Sequence, residues 1–547
     1  MKKLLLLLVS LYSLWMQAQH SSIQIVPQPV EVRVTDTLQF RLQQEAAICL
    51  SETDLEPTGN YLSAYLEQYL GLRTHLQMPA KKQKKGQQMR QEAAITLINL
   101  HNDSISGGYR LSITPQGGVT VQGNDAAGVF YGVQTLIQLL PTQAGIVPLL
   151  PAVEVTDYPR FAYRGMHLDV VRHFFPVAFI KRYLDYMALH KLNFFHWHLT
   201  DDQGWRIQLK CRPELTEVGA YRDGEIVGYY PGKYQPLPYG GYYTQEEVAE
   251  VVRYAQERHI TVIPEIDIPG HCMAVLATYP AFSTTPDAEQ SCARTWGIYN
   301  RFNNVLAPTE EVFSFLSDVF TELCSLFPGP YIHLGGDECA KKWWKASEST
   351  QQFMREQGLK DEKELQSYFV HHVQGVIQRN GKRAIGWDEV LEGGISKECI
   401  IMNWRRPTHG IHALEAGNQT IFACSGWYYL NKKESRLQQE IGPNGPLTLQ
   451  KVYEFEAVPD TLTVEQLSRV MGVQGCLWTE YTQNTWKAEF NLFPRLAALA
   501  ESAWSQPAVK SWEEFSKKMV KQIDRYELWG ARYNDAFLRQ EDIERKR

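Results

Sequence analysis

From residue 161 onward, apolar runs of strand length alternate with segments whose apolar residues recur at helical spacing. The predicted strands are residues 165–170, 193–199, 260–266, 331–334, 383–387, 400–404, 420–424 and 472–477. Predicted helices lie between most of them, at residues 177–190, 246–258, 310–327 and 362–380 among others. Eight strands that alternate with helices in this order predict a closed barrel of parallel strands, the (β/α)8 fold of the α/β class.

Residues 20–155 follow a different pattern. Short alternating segments at 30–34 and 118–122 predict strands, and residues 60–70 and 126–140 have helical apolar spacing. We interpret this region as a small α+β domain ahead of a barrel that spans residues 156–505. In the C-terminal extension, residues 506–547, one further amphipathic helix is predicted at 512–529 and is expected to pack on the barrel.

The first residues predict export from the cytoplasm. Lys2 and Lys3 precede an apolar run at residues 4–16, and Ala18 offers a small residue for cleavage. This pattern is typical of a secretory signal peptide, residues 1–19, and indicates a protein of the periplasm, the cell surface or the medium. The alternative is an N-terminal membrane anchor, for which the apolar run is short.

Composition narrows the function classes. The chain has 547 residues, of which 44% are hydrophobic and 21% charged, as in globular proteins. A formal net charge of -6 gives no general attraction to phosphate backbones, so nucleic acid is not predicted as a partner. After the leader no apolar run approaches the ~20 residues that span a bilayer. The cysteines are odd in number and lack CxxC spacing, so most are expected to be buried small residues.

Acidic and aromatic residues follow nearly every predicted barrel strand. Because the active site of such a barrel forms at the carboxyl ends of its strands, we expect these side chains to share one pocket. Indole faces and carboxylates together suit a sugar ring, which offers a C–H face and hydroxyl groups. The residues are Asp169, Arg172, His198, Asp201, Asp202, Glu265, Asp267, His271, Asp337, Glu338, Trp387, Asp388, Glu389, Trp404, Trp427, Tyr428, Tyr429, Asn431, Trp478 and Glu480.

The densest acidic site is Asp337 with Glu338, at the end of the sequence IHLGGDE. Adjacent carboxylates repel when both are ionised, so the pKa of one is expected to rise until it can stay protonated as a general acid. Neighbouring residues point in different directions, which permits two roles. The alternative is an acidic pair on a solvated turn.

Four motifs in order resemble the secreted bacterial β-N-acetylhexosaminidases of glycoside hydrolase family twenty. They are RGMHLDVVRHF at 164–174, HWHLTDDQGW at 196–205, PEIDIPGH at 264–271 and HLGGDE at 333–338. With GWDE at 386–389 and LWTE at 477–480, the resemblance covers nearly the whole barrel. The α+β domain ahead of the barrel also matches the usual layout of this family.

The resemblance implies a mechanism without a cofactor. Glu338 is similar to the family's proton donor, and Asp337 to the residue that orients the 2-acetamido group of the substrate. The nucleophile is then the acetamide carbonyl of the substrate, which yields an oxazolinium intermediate and retention of configuration. Tyr429 is similar to the hydroxyl donor to the acetamide oxygen. The implied partner is a glycan with a terminal N-acetylhexosamine.

Further roles are implied for the pocket. Arg172 and Glu480 resemble the residues that bind hydroxyls of the terminal sugar, which makes the enzyme exo-acting. Asp201 and His271 are similar to the pair that holds the two acids in place. The walls of the acetamide pocket are expected to be Trp387, Trp404 and Trp478.

One position departs from the family pattern. Many members have Asp two residues after the tyrosine, whereas this chain has Asn431 followed by Lys432. In the family, Asn followed by a basic residue goes with tolerance of 6-O-sulfated N-acetylglucosamine. We therefore expect this chain to accept such sugars; the alternative is that the lysine is merely solvated.

The same residues bear on two other functions, a metal-dependent activity and glycan binding without catalysis. A catalytic metal is not predicted, because no HExxH spacing appears and at most one of His196 and His198 is expected to enter the pocket. A non-catalytic glycan-binding protein would need the aromatic walls but not the acidic pair. The sequence leaves open the linkage, the preference for gluco or galacto sugars, and the oligomeric state.

Overall fold

The computed structural model describes residues 23–78, 94–143, 145–229, 232–436, 438–443 and 445–539. The predicted signal peptide lies outside these residues. Among the residues that are described, no helix is both long enough and apolar enough to cross a bilayer.

The N-terminal domain is a seven-stranded sheet covered by two helices. Gly132 allows the second helix to lie close to the sheet, since a Cβ there would come within 2.4 Å of a Val121 methyl group. The sheet order is β1-β7-β5-β6-β4-β2-β3. The strands are β1 (Glu31–Arg41), β2 (Glu45–Leu50), β3 (Arg73–Gln77), β4 (Ile95–Asn99), β5 (Tyr109–Thr114), β6 (Gly118–Gly123) and β7 (Leu149–Asp157), and the helices are α1 (Glu56–Leu70) and α2 (Ala126–Leu139).

Eight parallel strands then close into a barrel, which confirms the predicted fold. The last strand pairs with the first from Gly472 opposite Tyr163 to Leu477 opposite Leu168, so the barrel has no open edge. All eight predicted strands are present. They are β8 (Tyr163–Asp169), β9 (Phe194–His198), β10 (Thr261–Glu265), β11 (Tyr331–His333), β12 (Arg383–Trp387), β13 (Ile400–Asn403), β14 (Thr420–Phe422) and β15 (Val470–Leu477).

Helices surround the barrel, with one exception. After β12 the chain makes only a 3-10 turn, Asp388–Leu391, before it enters β13. The four helices predicted from apolar spacing are all present. The longer helices are Val177–Leu189, Gln245–Gln256, Glu310–Leu326, Glu348–Gln357, Glu362–Arg379, Pro407–Ala416, Arg495–Trp504 and Trp512–Leu528, and shorter ones are Glu214–Glu217, Met273–Thr278, Lys342–Ala346, Leu449–Glu454, Val464–Arg469 and Thr485–Leu492.

The long connection after β9 contains short hairpins. In one, Tyr221–Arg222 pairs with Tyr239–Gly240, and in the other Glu225–Val227 pairs with Lys233–Gln235. This segment, rich in tyrosine and glycine, lies at the rim of the strand carboxyl ends, because the Arg222 guanidinium donates to the carbonyl oxygen of Arg172 at 2.9 Å.

A buried ion pair joins the two domains. Lys191 lies 2.9 Å from Asp157, both side chains are fully buried, and the Trp504 indole N–H also donates to Asp157 at 3.0 Å. The C-terminal helix Trp512–Leu528 contacts the N-terminal domain as well, since Arg525 donates to carbonyls at the end of α2. The sheet domain, the barrel and this helix therefore share buried polar contacts.

The cysteines behave as expected. All nine are free thiols, eight of them are buried, and Cys211 is exposed. They contribute packing volume rather than cross-links.

Candidate active site

The turn after β11 presents the two adjacent acids. Gly335 and Gly336 have φ values of 72° and 97°, and a Cβ on Gly335 would lie 1.8 Å from Asp267 Oδ1. The Gly336 N–H donates to that same oxygen at 3.0 Å. Only glycine allows the chain to wrap so closely around a carboxyl group. Glu338 itself has φ 44°, a left-handed conformation that is costly for a residue with a side chain.

His271 lies between two pairs of acids. Its Nδ1 is 3.1 Å from Asp201 Oδ1 and 3.0 Å from Asp202 Oδ2. On the other side, its Nε2 is 3.6 Å from Glu338 Oε2 and 3.8 Å from Asp337 Oδ2. Although burial opposes a charge here, Asp201 and Asp202 hold the pKa of His271 well above its ordinary value. His271 is therefore a cation that faces the two acids.

The pKa values of the two acids are shifted in opposite directions, and in the opposite sense to the one expected for a proton donor at Glu338. Burial and the charge of Glu338 raise the pKa of Asp337. Burial also acts on Glu338, yet the hydrogen bond and charge of His271 outweigh it and lower the pKa of that carboxyl. The difference follows from the neighbours of each carboxyl, since His271 is hydrogen-bonded to Glu338 whereas Asp337 faces the charges of Glu338 and Glu265.

Arg172 occupies the carboxyl end of β8. Its guanidinium lies 2.6 Å from Asp201 Oδ2 and 3.3 Å from Asp169 Oδ2, and these carboxylates keep its pKa above the ordinary value despite burial. Glu480 follows β15, the neighbouring strand. Burial raises the pKa of Glu480, although Arg172 opposes the shift. The Oε2 atom of Glu480 is buried and has no hydrogen-bond partner among the described residues.

Four aromatic rings from separate strand ends form one wall. The Trp478 ring lies 6.1 Å from Trp387 and 6.0 Å from Tyr429, and Tyr429 lies nearly parallel to Trp404 at 6.3 Å. Trp387 is 1% exposed and Trp478 is 8% exposed. Burial raises the pKa of Tyr429 well above its ordinary value, so its hydroxyl stays protonated and can donate.

Asn431 and Lys432 lie beside this wall but differ in environment. Asn431 is 6% exposed, and its Oδ1 finds no hydrogen-bond partner among the described residues. The Lys432 ammonium donates to the carbonyl oxygen of Ser425 at 2.6 Å, and burial lowers its pKa. The amide of Asn431 is therefore the free polar group here, while the lysine is bound to its own loop.

This chain matches the family described as glycosyl hydrolase family 20, catalytic domain, over residues 161–507, and domain 2 of the same family over residues 22–158. The chain belongs to glycosyl hydrolase family 20. The resemblance read from the sequence motifs is thereby confirmed.

Relatives and solved structures agree with this assignment. The chain is 38% identical to a beta-hexosaminidase of Porphyromonas gingivalis over 94% of its own length and 64% of the relative's. It therefore spans about two thirds of that protein. With a beta-N-acetylhexosaminidase of Cellulomonas fimi it shares 30% identity over 94% of this chain and 96% of the relative. The crystal structure of the GH20 exo beta-N-acetylglucosaminidase of Vibrio harveyi in complex with N-acetylglucosamine has a TM-score of 0.82 and 30% identity, with 93% of this chain and 78% of that chain covered.

Two further acids of this family 20 site, Asp267 and Glu389, have strongly shifted pKa values that their positions after strand ends do not reveal. Asp267 is hydrogen-bonded to Asp337, and burial together with the charge of Asp337 raises its pKa well above the ordinary value. Glu389 accepts from the Trp404 indole N–H at 2.8 Å, and burial, Asp337 and Asp388 raise its pKa to about 9. Their position after strand ends was the available signal of their place in the site.

The prediction for the histidines of β9 was wrong. Both His196 and His198 reach the same carboxylate, Glu265, at 3.0 Å and 2.5 Å. Residues two apart on a strand share a face, so both rings enter the barrel interior.

Clusters of histidines and acids bring candidate metal-ligand atoms within 4.8 Å of one another at three places among the described residues. In the cluster around His271, the short contacts with Asp201 and Asp202 are hydrogen bonds between imidazole and carboxylate, and in the cluster around His196 the Gln474 amide donates to His196 Nδ1 at 3.0 Å. The clusters are His167 with His196 and Glu265, Asp201 with Asp202 and His271, and Asp267 with His271 and Asp337.

Proposed function

We propose that this protein is an exo-acting β-N-acetylhexosaminidase that removes terminal β-linked N-acetylglucosamine or N-acetylgalactosamine from glycans. The observation that carries the proposal is the pairing of Asp337 and Glu338 on one turn beneath an aromatic wall. Membership of family 20, and relatives named as beta-hexosaminidases, support it.

The acetamide group of the substrate supplies the nucleophile. Its carbonyl oxygen attacks the anomeric carbon while the bond from that carbon to the leaving oxygen breaks, and Glu338 gives a proton to the leaving oxygen. Asp337 accepts the amide N–H and stabilises the positive charge that develops on nitrogen. Water then opens the oxazolinium ring with Glu338 as general base, so the configuration is retained.

Substrate binding is expected to reverse the directions in which the pKa values of Asp337 and Glu338 are shifted. In the free protein burial and repulsion favour protonation of Asp337, and His271 favours the ionised form of Glu338. An amide N–H directed at Asp337, whose Oδ1 is buried without a partner, stabilises its carboxylate. A sugar placed over Glu338 excludes water and raises its pKa. Both effects favour an ionised Asp337 and a protonated Glu338 in the complex.

The aromatic wall, Arg172 and Glu480 form the rest of the substrate site. Tyr429 donates its hydroxyl to the acetamide oxygen, and Trp478 stacks on the C–H face of the sugar, next to Trp387 and Trp404. Arg172 and Glu480 bind the hydroxyls of the terminal sugar. Two carboxylates hold the Arg172 guanidinium in place at this end of the pocket.

Two chromogenic substrates test the proposal. We expect the protein to release 4-nitrophenol from the N-acetyl-β-glucosaminide, and to cleave the β-glucoside, which has no acetamide, at least about 1000-fold more slowly, since the loss of an intramolecular nucleophile forfeits most of its effective molarity. Equal rates on the two would refute the mechanism. Binding of N-acetylglucosamine without turnover would instead indicate a glycan-binding protein.

We also propose that the protein acts outside the cytoplasm. The two lysines, the apolar run and the small residue near position 18 support cleavage of a signal peptide. Sequencing of the mature N-terminus from fractionated cells tests this. An intact N-terminus in the cytoplasmic fraction would contradict it.

A further inference from the structure

One buried carboxylate, Glu265 at the end of β10, accepts hydrogen bonds from both sides of the barrel interior. Its Oε1 accepts the Trp387 indole N–H at 2.7 Å, and its Oε2 lies 2.5 Å from His198 Nδ1. Two further imidazoles approach it, His196 at 3.0 Å and His333 at 3.0 Å. The side chain is fully buried, so all of its partners are groups of the protein.

His198 uses both ring nitrogens on carboxylates. While Nδ1 faces Glu265, Nε2 lies 2.9 Å from Asp201 Oδ2. A neutral imidazole has only one N–H, so two carboxylate contacts of this length require the doubly protonated ring. Glu265 therefore keeps a cation at the side of Asp201 that faces away from the pocket.

Asp201 connects the His198 cation to the residues of the substrate site. The oxygen that contacts His198 also lies 2.6 Å from the Arg172 guanidinium, and the other oxygen lies 3.1 Å from His271 Nδ1. His271 in turn faces Glu338 at 3.6 Å. The contacts run without a break from Glu265 to the sugar-binding arginine and to the acidic pair.

We propose that Glu265 is a positioning residue that orients Trp387 directly and, through the His198 cation and Asp201, orients Arg172 and His271. The inference deepens the proposed hexosaminidase function and rests on it for its kinetic readouts. The charge of Glu265 thus fixes the orientation of Trp387 and, through its partners, of Arg172 and His271. A preorganised site requires support of this kind for the residues that contact the substrate.

The charges around His198 agree with this role. Burial opposes a cation, but Glu265 and Asp201 raise the pKa of His198 to about 10. His196, which lacks the second carboxylate, has its pKa lowered to about 4, chiefly by burial. His167, the other ring packed against His198, is also neutral because burial holds its pKa well below the ordinary value.

The test is Glu265→Gln, which keeps the volume and removes the charge. We expect kcat/KM on the aryl N-acetyl-β-glucosaminide to fall about 10- to 100-fold, as for other buried groups that orient active-site residues. Asp157→Asn is the matched control, because Asp157 is an equally buried carboxylate that accepts a tryptophan N–H, at the domain junction. It should lose stability and keep wild-type kinetics.

The pH profile separates positioning from a merely structural role. In Glu265→Gln, His198 loses one of its two carboxylates, so its pKa falls from about 10 into the assay range. It is protonated again at low pH and restores the contact with Asp201. We therefore expect the ratio of wild-type to variant kcat/KM to grow as pH rises from about 5 to about 8. A ratio that stays flat with pH, or a variant within twofold of wild type, would overturn the proposal.

A second variant and a spectroscopic signal keep the test decisive if Glu265→Gln folds poorly. His198→Gln should lower kcat/KM by a similar factor, and the double variant should be no worse than the poorer single one; additive losses would count against the chain of contacts. Nitrogen-15 NMR of histidine-labelled wild type should show the His198 imidazolium at pH 8, assigned by its loss in His198→Gln. This signal does not depend on turnover. An imidazolium in an inactive protein would refute the enzyme assignment but not the positioning role of Glu265. A neutral His198 would refute that positioning role.

Discussion

Replacement of Glu338 by glutamine tests the division of labour between the two acids. The substitution removes the proton that the leaving oxygen needs and leaves the shape of the site unchanged. The side chain is 43% exposed and His271 Nε2 is 3.6 Å away, and the His271 cation keeps Asp201 and Asp202 as its closer partners in the variant. The expected change in the free energy of unfolding is within about 0.5 kcal/mol, as for other exposed positions.

The loss of activity should depend on the leaving group. A positioned general acid contributes about 10²- to 10⁴-fold, which is about 3 to 5 kcal/mol of activation free energy. A sugar alkoxide is a poor leaving group, so its departure needs the whole contribution of the general acid. A nitrophenolate is stable as the anion and needs little of it. Glu338→Gln should therefore lose about 10³-fold on chitobiose and about tenfold or less on the 4-nitrophenyl glycoside.

The assay compares kcat/KM for wild type and Glu338→Gln on a series of aryl N-acetyl-β-glucosaminides of increasing phenol pKa, with chitobiose at the end of the series. The slope of log kcat/KM against leaving-group pKa should be steeper in the variant. Asp337→Asn is the comparison variant, because it weakens the participation of the acetamide group and should lower kcat/KM on all of the substrates by a similar factor. Parallel slopes for wild type and Glu338→Gln would show that Glu338 is not the proton donor.

Three further predictions follow from the same geometry. Gly335→Ala should destabilise the fold by more than about 2 kcal/mol in urea unfolding, because the new Cβ would meet Asp267 at 1.8 Å, whereas Gly358→Ala, with a similar φ and open space, should cost about 1 kcal/mol; equal losses would argue against the clash. The Lys432 ammonium is bound to the Ser425 carbonyl in the free protein and has to turn from it to meet a sulfate; Lys432→Ala should lower kcat/KM on 6-O-sulfated aryl N-acetylglucosaminide only about fivefold and leave the plain sugar unchanged, and an unchanged ratio would end the sulfate hypothesis. In the wild type, stability should fall as pH rises from about 4.5 to about 9, because the unfolded chain ionises Glu389 throughout that window while the folded protein, with a pKa of about 9, does not. Glu389→Gln should abolish this decrease. Urea midpoints that fall equally in both proteins between pH 6 and pH 8.5 would contradict this.

The architecture could be predicted because its signals are local. Apolar runs of strand length and helices between them identified all eight barrel strands, and the adjacency of Asp337 and Glu338 needs no tertiary information. The location of the site follows from the fold, since the carboxyl ends of parallel strands meet at one end of a barrel. The two hairpins between Tyr221 and Gly240 were missed, because strands of two or three residues are too short to show periodicity.

The sequence by itself thus determined the barrel, the family and the candidate acids, because periodicity and motif order are properties of the chain. Only the tertiary structure decided the directions in which the pKa values of Asp337 and Glu338 are shifted, and that both His196 and His198 converge on Glu265. The physical reason is that a pKa depends on burial and on charges within a few ångströms. Residues such as His271 and Glu338, far apart along the chain, meet at those distances only after folding.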